Sequence, residues 1–343
     1  SGSTGQNKNV QGKKMKNRAL SVLGLLLLGS SAFASTNEEL EQRIQRLEAM
    51  QLTKQPVSAV DLRVSGFVNV VATVTDQSAP AYYRNIGAVR VNEIDDKIDF
   101  RGLSNAGIQI DAQINDQLGA TLQLLGQGAN QFEMDYEWAY ISYQATDSIK
   151  LRGGKLVLPL YMHSQYKNVG YALPWISVPT EVYGSAAANT YEGVDVTYQF
   201  TTGNVSHSLN AFYGGLTVEL RSGGEVFLDE LRGVNLSSRL GNLSTWLSVN
   251  RNNYTTTVAA TYGAAAYDLD DDLSDFYSVG AQYDNGQLLL MFEANRYEVP
   301  KDYYPDFETG YVTAGWRFGK YLPYVTWATA DSEGWDDIET TGA

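Results

Sequence analysis

The residues with the most chemistry to offer are charged and sit at alternate positions of β-periodic segments. By parity Arg63, Arg101, Lys150, Arg152, Arg239 and Arg317, with Asp111, Asp195 and Glu293, occupy the mixed face of strands whose other face is apolar. Such spacing projects fixed charge into one common space, where a positive excess biases passage toward anions. The same bases could instead pair locally with the carboxylates and select nothing. Hydrolytic chemistry has less support. The two histidines are His163, with Ser164 beside it, and His207, on an apolar face near a short turn. Neither has a visible third residue to orient it as a base, so a barrel hydrolase is the weakest reading. With no cysteine and no ligand-spaced histidines, no metal site or cofactor is predicted. The acidic runs Asp268 to Asp272 with Asp275, and Asp331 to Glu339, could hold Ca²⁺ or bridge lipopolysaccharide through divalent cations. Lacking a calcium-loop glycine pattern, they read better as solvated, mutually repelling loops.

The stretch Ile149 to Tyr183 is the element the charges surround. It begins as a strand, with Ile149 and Leu151 on one face and Lys150 and Arg152 on the other. Pro159, Pro174 and Pro179 then deny ladder hydrogen bonds, while Tyr161, Tyr166, Tyr171 and Trp175 make the segment too apolar for an ordinary solvated loop. Irregular backbone at membrane depth is tolerated where it is buried in protein or lines a water-filled cavity. The expectation is a constriction loop, residues 159–183, folded into a lumen and carrying Tyr161, His163, Tyr166, Lys167, Tyr171, Trp175 and Glu181, with Lys155 at its root as a further constriction residue.

Composition bounds the class. The chain has 343 residues, 23 tyrosines, 32 glycines and a formal charge of −14. So acidic a chain excludes nucleic acid as partner. Residues 1–14 read as a leader and residues 15–34 as a signal peptide: a charged start at Met15 to Arg18, a short apolar run and a small-residue cleavage site before Ser35. Residues 35–56 are predicted to form a periplasmic helix with Leu40, Ile44 and Leu47 at coiled-coil spacing, closed by Pro56. Residues 57–343 are predicted to be one barrel, incomplete at its C-terminal end.

From Leu62 the hydrophobic period is two. Leu62, Val64, Gly66, Val68, Val70, Ala72 and Val74 share one face; Ile108, Ile110 and Ala112 oppose Gln109, Asp111 and Gln113. About thirteen strands follow from this count, many near the ten residues that a tilted strand needs to cross a bilayer. Short links, such as Asp116–Gly119, Thr201–Asn204 and Gly241–Asn242, alternate with long ones at 75–97, 159–189, 214–230, 251–274 and 298–307. The predicted fold is therefore an all-β membrane protein: an antiparallel up-and-down transmembrane β-barrel with tight periplasmic turns and elaborate external loops. Thirteen is odd where single-chain bacterial barrels are even, so about three more strands are expected to complete sixteen. Tyr136, Trp138, Tyr140, Tyr213, Trp316 and Trp327 are expected at the headgroup level.

The block from Asn105 to Tyr183 resembles the Gram-negative outer-membrane porins. The resemblance lies in NAGIQIDAQINDQLGATLQLLGQG and in a strand ending Gly154-Lys155-x-x-x-Pro159 that enters a Tyr- and Pro-rich loop with Val169-Gly170-Tyr171 and Pro174-Trp175; Leu322-Pro323-Tyr324-Val325 is also similar. It implies a sixteen-stranded homotrimeric diffusion channel for small hydrophilic solutes and ions, contacting outer-membrane lipid and lipopolysaccharide, with its third loop folded inward. The N-terminal helix is similar to that of substrate-selective porins with a periplasmic coiled coil. Many general porins carry an acidic inward loop facing a basic cluster; here Glu181 is its only acid beside Lys155 and Lys167, a departure that sets aside the usual cation bias, and a mild anion preference is the sharper expectation. An adhesin or receptor with a plugged lumen is the competing reading.

Overall fold

The computed structural model describes residues 60–74, 81–83, 92–94, 96–184, 188–219, 225–256, 260–262, 265–267, 270–298 and 306–332. The predicted signal peptide, the N-terminal helix and the acidic end beyond residue 332 lie outside the described residues. Alternation of apolar and polar side chains produces strands throughout: β1 (Asp61–Asn69), β2 (Ala81–Tyr83), β3 (Asn92–Ile94), β4 (Asn105–Gln113), β5 (Leu118–Gln127), β6 (Met134–Thr146), β7 (Ile149–Val157) and β8 (Thr190–Thr202). They continue as β9 (Val205–Glu219), β10 (Glu225–Leu240), β11 (Leu243–Thr256), β12 (Ala260–Tyr262), β13 (Ala265–Tyr267), β14 (Asp272–Asp284), β15 (Leu288–Glu298), β16 (Phe307–Trp316) and β17 (Tyr324–Ser332). Thirteen form one sheet in which each strand pairs antiparallel with the next, while β2–β3 and β12–β13 are small hairpins within two of the long connections.

The tight turns have local causes. Asn115 Oδ1 accepts from the backbone N–H groups of Gln117 and Leu118, both at 2.9 Å, and Asn285 does the same for Gln287 and Leu288 at 2.9 and 2.7 Å. Gly203 and Gly241, at φ of 60° and 56°, supply the left-handed backbone of two further turns.

The two faces of the sheet are inverted relative to a soluble protein. On β11, Leu247 and Val249 are 50% and 55% exposed on the outer face, while Ser248, Asn250 and Asn252 are buried on the inner one. On β14 to β16 the outer face carries Tyr277, Val279, Leu290, Phe292 and Val312, and the inner face Ser278, Glu293, Asn295, Thr309 and Thr313. At the long-loop end this apolar surface stops at a charged row. Arg232 pairs in register with Arg251, Arg251 with Asp275 and Asp275 with Glu298. From that row to the short turns is roughly eight residues, an apolar band about 20 Å tall at the usual strand tilt. Apolar outside and polar inside is the composition of a transmembrane β-barrel wall.

The sheet is strongly curled. Thirteen strands laid flat would hold their edges roughly 58 Å apart, at about 4.8 Å per step. Yet Asn69 on β1 donates to the Asn168 carbonyl at 2.8 Å, and Thr326 on β17 accepts from Trp175 Nε1 at 2.9 Å. The chain from Asn168 to Trp175 spans at most about 25 Å even when extended. Both edge strands therefore close around one loop segment. Curvature is eased where Gly154, Gly193 and Gly214 face one another across β7, β8 and β9. A Cβ on Gly193 would lie 2.2 Å from the Tyr213 carbonyl oxygen, so the backbones approach there more closely than any side chain allows.

Several strand boundaries differ from the sequence expectation. The first strand ends at Asn69, short of Val74; beyond it a lone bridge joins Thr73 to Asp99. Conversely β9, β10 and β11 run further out than their hydrophobic pattern, shortening the connections expected at 214–230 and 251–274. A bulge at Asp229–Leu231 in β10 shifts its register, which disguises the outer part of that strand.

Candidate functional site

The connection between β7 and β8 lies across the inner face of the sheet. Prolines keep it out of the ladder and its aromatic side chains give it an apolar underside. Leu158, Leu160, Tyr161, Trp175, Val182 and Tyr183 bury against Phe212, Leu231, Phe276, Leu289, Met291 and Tyr311 of β9 to β16. Tyr161 stands edge-on to Phe276 and Trp175 edge-on to Tyr311, at centroid distances of 5.3 and 5.2 Å. Trp246 Nε1 donates to the Leu160 carbonyl at 3.3 Å. The tip is tied to the opposite wall through Asn69 and through Asn168, whose Nδ2 donates to Glu137 at 3.4 Å.

Glu293 is the polar centre of this contact. It is 0% exposed, and its carboxylate accepts from the Met162 N–H at 3.0 Å, the Tyr183 hydroxyl at 2.6 Å and Ser278 Oγ at 3.4 Å. Three donors from loop and wall thus converge on one acceptor pair, a costly group to bury and a strong one once satisfied. Beside it His163 is 1% exposed, packed against Trp175 and Tyr183, with Nδ1 2.7 Å from the Tyr166 hydroxyl. Burial pushes the imidazole pKa down to about 4, so the ring is neutral at pH 7.

The inner-face charges divide into paired and free. Asp195, 1% exposed, holds Arg152 through its Nε and Nη2, at 3.0 and 2.5 Å, and the guanidinium lies 5.3 Å over the Tyr140 ring. Asp284 grips Arg317 at 2.6 and 2.8 Å beside the short turns. Arg63, Lys150 and Arg239 are exposed and make no ion pair among the described residues. Asp111 stands opposite Arg63 in the register but takes its hydrogen bonds from Gln109 and Thr121, at 2.9 and 2.8 Å. Among the described residues the inner face thus carries exposed bases without an ion pair, Arg63, Lys150 and Arg239, and carboxylates held by neutral donors alone, Asp111, Glu137 and Glu293.

Three sequence assignments are corrected by these positions. Arg101 belongs to a turn outside the wall strands, exposed and bonded to Asp99 at 3.2 Å, because the strand expected there begins only at Asn105. Glu293 meets the loop instead of open lumen. Lys155 remains within β7, donating to the Tyr136 carbonyl at 2.6 Å. Within the loop, Tyr161, His163 and Trp175 are packing groups, whereas Tyr166, Lys167 and Tyr171 stay at least partly open to solvent and Glu181 is exposed on the short helix Thr180–Tyr183. His207 lies on the outer face, stacked on Phe200 with Nδ1 2.8 Å from Ser238 Oγ. Asp284, Tyr183 and Gln282 were not singled out by the sequence; Asp284 sits in a turn, where carboxylates are commonplace.

No family model matches the sequence, and no curated protein matches it. Among solved structures, the chain is similar to the outer-membrane channel DcaP of Acinetobacter baumannii, at 14% identity over 79% of each chain with a TM-score of 0.49. It is also similar to a loop-deletion form of the outer-membrane protein OmpT of Vibrio cholerae, at 14% identity over 80% of this chain and 83% of that one, TM-score 0.47. A third likeness is to an anion-selective porin of Comamonas acidovorans, at 14% identity over 79% and 90%, TM-score 0.43.

Proposed function

We propose that the chain builds the wall and constriction of a water-filled outer-membrane channel, through which small hydrophilic solutes and ions diffuse passively with a mild preference for anions. The observation that carries this reading is the inverted sheet curled around its own inward loop: a soluble protein has no use for an apolar exterior and a polar interior. Crossing solutes meet Arg63, Lys150 and Arg239, which lack carboxylate partners among the described residues, so local potential favours anions. Association into a homotrimer and contact with lipopolysaccharide belong to the same proposal. The external charged row is suited to meet headgroup phosphates and bridging cations.

Reconstitution into planar bilayers tests it. Stepwise conductance is expected, with reversal potentials in a salt gradient on the anion side. Replacing Arg63, Lys150 and Arg239 together by glutamate should move the reversal potential toward cations and leave conductance steps in place. Silent bilayers would favour a plugged receptor, and cation selectivity in the parent would remove the anion preference.

A further inference from the structure

Below the loop, on the short-turn side, lies a pocket of about 220 Å³ that the channel reading leaves unused. Tyr166, Tyr171 and Pro174 of the loop line it on one side, with Gln282, Asp284 and Arg317 of the wall on the other. Its volume is below the roughly 300–1,000 Å³ of sites for drug-sized ligands, so the occupant is small. We propose that this pocket is a binding site for an uncharged polyhydroxylated solute, a single sugar ring, pausing on its way through the channel. The inference rests on the channel reading and adds a substrate class to it.

Charge decides against an ion. Arg317 and Asp284 hold one another through two parallel hydrogen bonds, so neither presents a net charge to a guest. Gln282 is neutral, and its side-chain amide makes no hydrogen bond among the described residues. An anion here would be desolvated without a free cation to receive it. Geometry favours adjacent hydroxyls. Within one pocket the amide offers donors and an acceptor, the guanidinium keeps unused N–H groups, and the carboxylate oxygens keep unused lone pairs. Each hydroxyl of a sugar both donates and accepts, and can satisfy such a mixed set where a carboxylate or an ammonium cannot. The apolar face of the same ring needs a platform, and Tyr171 is 82% exposed at the pocket. The Tyr166 ring is steadied by its hydroxyl contact to His163.

The test uses glucose and gluconate, a neutral and an anionic form of one skeleton, on the full chain in planar bilayers. Glucose should interrupt the open-channel current transiently. Tyr171→Ala and Gln282→Leu should each weaken that block about tenfold, the scale of one lost aromatic or hydrogen-bonding contact. Saturation-transfer NMR with glucose on the detergent-solubilised chain reads the site independently of conductance. Current steps with no glucose interruption and no NMR transfer overturn the site and leave the channel standing. Gluconate acting where glucose does not makes it an anion site and overturns the proposal too. Transfer from glucose, lost in both variants but without current steps, upholds the site and removes the channel.

Discussion

Glu293→Ala should free the inward loop and raise both the size and the noise of single-channel currents. The substitution leaves the Met162 N–H, the Tyr183 hydroxyl and Ser278 Oγ without their acceptor. A buried donor stripped of its partner costs about 1–3 kcal/mol, and three sharing one acceptor do not add in full. A loss of about 3 kcal/mol lowers the docked-to-free ratio of the loop roughly a hundredfold. Trypsin should then cut faster after Lys167, whose ammonium donates to Asn189 Oδ1 while the loop is docked. Glu293→Gln is the informative companion: it keeps one carbonyl oxygen for Met162, and its amide can donate to a rotated Tyr183 hydroxyl, so its effect should be well under half as large in free energy. Unchanged currents and unchanged trypsin resistance in the alanine variant would remove Glu293 as the clamp.

Leu247→Arg should destabilise the protein in a bilayer by about 2–4 kcal/mol, whereas Leu243→Arg, at the turn end of the same outer face, should cost no more than about 1 kcal/mol. Both leucines lie on β11 with their side chains outward, Leu247 near mid-band and Leu243 beside Gly241 and Asn242. On a water-exposed surface a half-exposed leucine replaced by arginine shifts stability by only about 0.5 kcal/mol, wherever it lies along the strand. Depth dependence is thus the signature of hydrocarbon, and denaturant titration of refolding into lipid vesicles measures it. Equal small costs at both positions would mean the outer face meets water.

Much of the wall was legible because β-periodicity survives inversion: Ser248 and Leu247 alternate as plainly in a membrane wall as they would in a soluble sheet, and only the identity of the buried face changes. Turn chemistry at Asn115 and Gly241 marked where the chain reverses. Strand ends were less legible. Asn252, Asn253 and Thr255 look like loop residues, yet all three continue β11, because a strand rising above the hydrocarbon no longer needs an apolar outer face. The bulge at Asp229–Leu231 broke the parity count at the corresponding part of β10.

The candidate site was legible by residue type but not by partner. Parity placed Arg152, Asp195 and Glu293 inside, and inside they are. Which of them meets water depends on the path of an irregular segment that has no period to read. The pairing of Arg152 with Asp195 follows from register, since the two face each other across β7 and β8. The burial of Glu293 under Met162 and Tyr183 does not, because those contacts join positions far apart in sequence with no ladder between them.

The row of glycines at Gly154, Gly193 and Gly214 gives the loop a fixed post. It lies only a few residues before Pro159, where the chain leaves the wall, and backbones this close leave the strands little room to separate there. Undoing the latch at Glu293 should therefore slacken the stretch around Met162 and Tyr183 while the root at β7 and the tie between Asn69 and Asn168 still hold. The aperture beside the loop would then vary between two bounded widths, set by how far that slack stretch can move from the wall.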